Sequence, residues 1–321
     1  MSPRVSVVTP AFTAERTIGA AVSSVLAQTY RDLELVVVDD GSTDATAAIV
    51  AAHPGPVRLV RQENAGVAAA RNRGIEEAEG ELIAFCDADD VLFPEHVEQL
   101  VQLWDVRGGI ATANSYWLLP GGIHRSHKRY KGGFPKPDEQ RRAILEQNFV
   151  SPLSLFPRAL VGEIGGFPVE RRRAEDWHFW IRAILARHRV SLQPKPSALY
   201  RWGAESLSAD RDAMDADIEA IYRELAERDD LTQSERTYVQ RRLAGPSPRE
   251  LGRAGDRALR ERRYRDAARA YRDAALLVPS ERMLRWKARV LGPAPRLVGP
   301  LVRARQVRLE RALGMTEEHV R

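Results

Sequence analysis

The sequence predicts an α/β protein, a parallel sheet flanked by helices, with an all-α extension after it. Three observations predict it. Over residues 1–104, four short apolar runs rich in β-branched residues alternate with helical patterns, the βαβ signature of a parallel sheet buried on both faces. Two of those runs end in carboxylates, Asp39-Asp40 and Asp87-Ala88-Asp89-Asp90, and in such sheets ligands bind beyond the carboxyl ends of the strands. Composition then changes: residues 1–240 hold 28 Lys and Arg against 35 Asp and Glu, residues 241–321 hold 21 against 9. A chain of 321 residues also exceeds one ordinary domain of about 100–200.

Taken in order, Val-Ser-Val-Val at residues 5–8 is the first strand, closed by Thr9-Pro10. A helix follows, capped by Thr13, with Glu15 at its positive end and Ile18, Val22, Val25 and Leu26 on one face. Residues 33–38 form the second strand, after which Ser42 or Thr43 caps an Ala-rich helix reaching Ala52. Residues 57–60 form the third. Asn64-Ala65-Gly66 opens a helix carrying Arg71 and Arg73, and Gly80 closes it before the fourth strand at residues 82–86.

Asp87, Asp89 and Asp90 put three carboxylates within four residues. Two such charges about 4 Å apart repel by about 4 kcal/mol at an effective dielectric near 20. Either the turn is solvated, or a cation sits there; Mg²⁺ or Mn²⁺ takes one or two carboxylates together with substrate phosphate oxygens. Arg71 and Arg73 are placed to face phosphate in the same crevice. The chain has neither Gly-x-Gly-x-x-Gly nor a P-loop, which argues against a dinucleotide fingerprint and a Walker A site. Cys86, the sole cysteine, rules out an intrachain disulfide, reads as core packing and fits a reducing cytosol. No stretch of about 18 apolar residues occurs, so the expectation is a soluble, cytoplasmic protein.

Residues 105–150 read as hairpin or loop. Further on, Trp177, Trp180, Ile181 and Ile184 recur at helical spacing, which puts Glu175 and Asp176 in the first turn of an amphipathic helix. Acids there either stabilise the helix end, by about 0.3–1 kcal/mol each, or supply a general base. Residues 190–199 are strand-like but contain two prolines, and Tyr200-Arg201-Trp202 follows.

Five of these segments, in this order over residues 4–208, resemble the family 2 glycosyltransferases of the GT-A (Rossmann-like) fold: Val-Ser-Val-Val-Thr-Pro-Ala-Phe, Val-Val-Val-Asp-Asp-Gly-Ser-Thr-Asp, Asn64-Ala-Gly-Val-Ala-Ala-Ala-Arg71-Asn-Arg-Gly, Asp87-Ala88-Asp89-Asp90, and Gly165-Gly166-Phe167 followed by Glu175-Asp176-Trp177. The resemblance implies an inverting, Mn²⁺- or Mg²⁺-dependent transfer from a nucleotide-sugar donor, a UDP-sugar favoured, to an acceptor hydroxyl. It implies that Asp40 bonds the nucleobase beside Pro10 and Phe12, that Arg71 lies against the nucleotide, and that Asp87, with Ala88 next to it, holds the ribose end. Asp89 would ligate the metal and Asp176 would deprotonate the acceptor, with Glu175, Trp177 and Arg201 on the acceptor side and Trp177 as a stacking surface. Thr13 stands where many relatives have Asn, and Trp202-Gly203 where many have a His. The resemblance divides the chain into a catalytic domain at 1–208, with nucleotide-binding and acceptor halves at 1–104 and 105–208, and a helical basic region at 209–321.

In that region Thr232-Gln-Ser-Glu235 and Ser247-Pro-Arg-Glu250 are capping boxes. Gly255, Ala258, Tyr264, Ala267, Tyr271, Ala274 and Pro279 resemble one tetratricopeptide repeat, which needs a cover for its open face. Residues 282–311 carry nine basic residues and one acid among apolar ones. They suit peripheral attachment to an anionic membrane at its inner face, or packing on the catalytic domain or on a second copy in a homodimer; the prolines at 293, 295 and 300 favour packing. No specific nucleic-acid partner is expected. Two rivals remain: a sugar-phosphate nucleotidyltransferase, which wants a Gly-rich basic loop after the first strand, and a non-catalytic module binding anionic surfaces through the tail.

Overall fold

The four apolar runs become the parallel half of a seven-stranded sheet. The computed structural model describes residues 3–119, 122–130, 133–201, 211–279 and 281–312. Within it β1 (Val5–Ala11), β2 (Leu33–Asp39), β3 (Arg58–Arg61) and β4 (Leu82–Phe85) lie in the order β3-β2-β1-β4, all parallel. Helices cover both faces, so β1 is buried along its whole length. Val5, Val7, Leu35 and Val37 pack toward α1 (Ile18–Leu26), while Val36 and Val38 pack toward α3 (Val67–Glu77). A Cβ on Gly74 would lie 2.2 Å from Val8 Cγ1, so only glycine lets α3 settle this closely onto the sheet.

The caps expected for the first two helices are not the ones the chain uses. Thr13 sits at φ 48° and its N–H donates to Ser42 Oγ at 2.9 Å, so these two residues stitch neighbouring loops together. α1 starts later, at Ile18, and α2 (Thr46–Ala51) is preceded by Asp44, whose carboxylate accepts from the Thr46 N–H at 3.0 Å.

Beyond β4 the sheet changes direction. β9 (Ser154–Pro157) runs antiparallel between β4 and β6 (Ile110–Ala113), and β10 (Val190–Gln193) completes the edge. The segment expected as hairpin or loop supplies β7 (Tyr116–Leu119) and β8 (Gly122–Lys128), an antiparallel pair in a second sheet that also holds β5 (Val91–Leu92) and β11 (Ala198–Arg201), in the order β5-β11-β7-β8. The strand-like stretch at 190–199 is split: Pro194 and Pro196, which lack N–H donors, separate β10 from β11 (Ala198–Arg201). β11 pairs with β5 (Val91–Leu92), immediately after the acids. α4 (His96–Arg107), α5 (Gln140–Glu146), α6 (Ala159–Ile164) and α7 (Glu175–Leu185) complete the α/β part.

The chain forms two compact units, Met1–Ile221 and Tyr222–Arg321, divided within α8 (Arg211–Ala226). The second contains α9 (Gln233–Leu243), α10 (Pro248–Arg260), α11 (Tyr264–Leu277), α12 (Arg282–Leu291) and α13 (Pro295–Ala312). Both capping boxes form, Thr232 with Glu235 and Ser247 with Glu250. α10 and α11 make the repeat-like hairpin, where a Cβ on Gly255 would meet the Tyr271 ring at 2.7 Å. Its cover comes from its own unit: Leu291 and Val302 are buried with Ala258, Leu259, Ala267, Ala268 and Tyr271, and Trp286, Val290 and Val298 pack beside them. Lys287 Nζ donates to Asp256 Oδ1 at 2.7 Å, and Tyr271 O–H shares that acceptor. Pro300 lies inside α13 instead of ending a helix, and Leu297 and Leu301 remain exposed. No described helix is long and apolar enough to cross a membrane.

Candidate active site

The carboxyl edge of the parallel strands gathers the predicted residues. β1 delivers Pro10 and, one step past its end, Phe12, whose ring is 54 % exposed although the strand before it is buried. β2 delivers Asp39 and Asp40. Asp39 is fully buried, accepting from the Ser42 N–H and from Arg61 Nε at 3.0 Å. Asp40 is also buried and holds the loop that opens α3. Its Oδ1 accepts from Gln62 Nε2 at 2.7 Å and from the Ala65 N–H at 2.9 Å, and its Oδ2 from the Gly66 N–H at 2.8 Å. Gly41, at φ 78° and with no room for a Cβ beside the Asn64 N–H, makes that turn possible.

Arg71 is buried, and its guanidinium lies between two carboxylates. Nη1 donates to Glu175 Oε1 at 2.8 Å and Nη2 to Asp87 Oδ1 at 3.1 Å. The rings of Phe85 and Phe167 each lie 5.5 Å from its carbon. Although burial opposes its charge, Asp87, Glu175 and Asp176 keep the group protonated. Arg73, expected in the same crevice, is half-exposed and pairs with Glu77 one turn on at 2.6 Å; its place two positions after Arg71 turns it away from the face that Arg71 buries.

The acid cluster is strained electrostatically. Burial, reinforced by Asp87, pushes the Asp89 carboxyl up to about 6. Asp90 is 1 % exposed and burial drives its carboxyl well above the usual range, with Asp87 and Asp89 adding to the effect. Asp90 Oδ1 accepts from the Arg201 N–H at 2.8 Å, while Oδ2 is buried with no hydrogen-bond partner among the described residues. Arg201 Nε donates to the Asp89 carbonyl at 3.0 Å, so β11 ties itself to the acid turn. An orphaned buried carboxylate oxygen beside a carboxyl of raised pKa is the donor set that suits a hard divalent cation. Among the described residues no preassembled cluster of three or more ligating side chains encloses an ion site, and Trp202-Gly203 lies outside the described residues.

Glu175 and Asp176 open α7 as the helical spacing predicts. Burial pushes the Glu175 carboxyl up to about 7, against the pull of Arg71 and with Asp176 adding to the rise. Asp176 is half-buried; its Oδ1 accepts from the Trp177 N–H at 2.7 Å and its Oδ2 from Asn148 Nδ2 at 2.9 Å. Asn148 is itself fixed by the Val150 N–H on its Oδ1 at 3.0 Å. Sequence reasoning did not select Asn148, since it lies in a loop 28 residues from its partner with no pattern around it. Trp177 corrects the expected stacking surface: it is 6 % exposed and its indole N–H donates to the Ile144 carbonyl at 2.7 Å, so the ring belongs to the α5–α7 packing.

The chain is similar to known glycosyltransferases in sequence and in fold. The model of glycosyl transferase family 2 matches residues 6–165. An uncharacterized glycosyltransferase of Rickettsia typhi is 28 % identical over 57 % of this chain and 59 % of its own length. One from a Nostoc species is 33 % identical over 45 % and 46 %, so the chain spans about half the length of these curated relatives. Among solved structures, S. aureus TarS 1-349 in complex with UDP-GlcNAc superposes with TM-score 0.59 at 20 % identity, over 92 % of this chain and 91 % of that one. A mannosyltransferase from Pyrobaculum calidifontis, in complex with GDP-Man and Mn²⁺, also gives 0.59 at 20 % identity, over 95 % and 88 %. At such identity the likeness establishes the GT-A fold. With five motifs in order, the acid turn and the acid-led helix joined through Arg71, and the family model matching residues 6–165, this chain belongs to glycosyl transferase family 2.

Proposed function

We propose that the chain is an inverting, metal-dependent glycosyltransferase that moves a sugar from a nucleoside-diphosphate donor to an acceptor hydroxyl. One observation carries the reading: Asp87 and Glu175, 88 positions apart, meet on a single guanidinium, which brings the acid turn and the acids of α7 to one crevice. In the reaction, Asp176 accepts the acceptor's hydroxyl proton as that oxygen bonds the anomeric carbon, and the bond from that carbon to the diphosphate breaks. A single displacement inverts the centre. Mn²⁺ or Mg²⁺, when bound, supplies Lewis-acid stabilisation of the leaving diphosphate, and Asp89 beside Asp87 and Asp90 would hold it.

Asp40, Pro10 and Phe12 line the nucleobase end of the proposed donor site. Asp40 has three protein donors, and its two oxygens offer about four acceptor positions, so one is left for a base N–H. UDP is the favoured nucleotide, supported by the TarS complex; the GDP-Man complex makes GDP the competitor to test. The proposal divides the catalytic domain at 1–104 and 105–208, with Arg201 and Glu175 on the acceptor side. It includes peripheral attachment to the inner face of a membrane through 282–311, supported by exposed Leu297 and Leu301 among arginines, and pairing of copies through the helical region.

Asp176→Asn is the test. UDP or GDP binding with Mn²⁺ should persist in calorimetry while turnover falls by about 10²- to 10⁴-fold, the usual contribution of a general base. Loss of nucleotide binding and turnover together would make Asp176 a structural residue.

A further inference from the structure

Arg71 sits where the resemblance expects a nucleotide contact, yet its surroundings are those of a strut. The residue is 5 % exposed, and each Nη group already donates to a carboxylate, Glu175 at 2.8 Å and Asp87 at 3.1 Å. Phe85 and Phe167 flank the guanidinium. Next to it, Asn72 grips the Phe167 backbone in both directions, donating to its carbonyl at 2.8 Å and accepting from its N–H at 2.7 Å. Very little of Arg71 remains for a donor molecule to touch.

The far end of the strut needs one. α7 begins after Ala174, a non-glycine residue at φ 56° that supplies no side-chain cap. Asp176 is fixed by Asn148 and by the Trp177 N–H. The turn that carries it is joined to the acid turn after β4 through Arg71. We infer that Arg71 is a positioning residue, which sets the separation between the donor-side acids and Asp176 by bridging Asp87 and Glu175. This rests on the transferase reading above. Planar, two-pronged donation is what an arginine supplies and a lysine does not, so the role should be sensitive to a change that keeps the charge. Misplacing reacting groups by about 1 Å can cost about 10²-fold in rate with binding intact.

Two variants test it, Arg71→Lys and the double change Arg71→Met/Glu175→Gln, which removes the bridge together with one of the two carboxylate charges it neutralises and keeps the net charge. The probes are UDP and GDP with Mn²⁺ for affinity, and UDP-GlcNAc and GDP-mannose for turnover. Arg71→Lys should bind nucleotide within about twofold of the parent while kcat falls about 10- to 100-fold. The double variant should regain the melting temperature of the parent but not its kcat. A tenfold loss of nucleotide affinity in Arg71→Lys overturns the inference in favour of a donor contact. Recovery of both melting temperature and kcat in the double variant overturns it in favour of simple charge neutralisation, and an unchanged kcat in Arg71→Lys also refutes it. A parent protein that neither binds either nucleotide nor consumes either sugar nucleotide defeats the transferase reading itself, before any variant is made.

Discussion

Replacing Asp89 by Asn should stabilise the metal-free protein while removing transfer. Burial and Asp87 raise this carboxyl from the ordinary 3.8 to about 6. At 1.36 kcal/mol per pKa unit, keeping it ionised at pH 7.5 costs the fold about 3 kcal/mol, reduced to about 1–2 kcal/mol by solvent reaching the partly exposed group. The amide has nearly the same shape and no charge. Because the folded pKa is raised, the native state holds a proton between about pH 4 and 6 that the unfolded chain has released, so the parent gains stability as pH falls through that window. The advantage of Asp89→Asn is therefore full above pH 6 and vanishes near pH 4. His96, which burial lowers to about 4, titrates over the same window with the opposite sign, but it is common to both proteins and cancels. Urea titrations in EDTA at pH 7.5, 6 and 4.5 measure the difference directly. An equal or lower midpoint for Asp89→Asn at pH 7.5, or a gap that widens on acidification, would refute the argument.

Two further outcomes are expected. Asn148→Ala should lower kcat by about tenfold with nucleotide affinity unchanged, since it frees one side of Asp176 without touching the donor; single-turnover kinetics beside calorimetry checks it. Leu297→Ser/Leu301→Ser should weaken flotation with anionic vesicles at 0.1 M salt and leave unfolding of the helical unit unchanged, because both side chains are exposed. Equal flotation of parent and variant would remove the membrane role.

The sheet and its helices were legible because each parallel strand is a short apolar run with a helical crossover, and burial on both faces leaves that imprint. The acids were legible because charge at the end of a buried strand conflicts with local energetics. Arg71 was found but its partner was not. Pairing with Glu175 depends on two elements meeting 104 residues apart, which no local pattern encodes. The Thr13 N–H donates to Ser42 Oγ across two loops, so propensity alone misassigns both residues as helix caps. Trp177 follows helical spacing, but spacing alone does not separate a ring packed against α5 from one open for stacking.

The reversed direction of β9 decides which chain segments reach the crevice. A parallel strand presents its exit loop at the carboxyl edge; β9, pairing Leu155 with Ala84 and Pro157 with Leu82, presents its entry loop instead. The stretch leading into Ser154, with Asn148 in it, therefore meets the edge from which Asp87 emerges, while the turn after Pro157 points to the opposite side. Length changes before Ser154 would alter what stands at the edge of Asp87 while leaving the strand register and the acids after β4 intact, so the entry segment is where this frame accepts new loops.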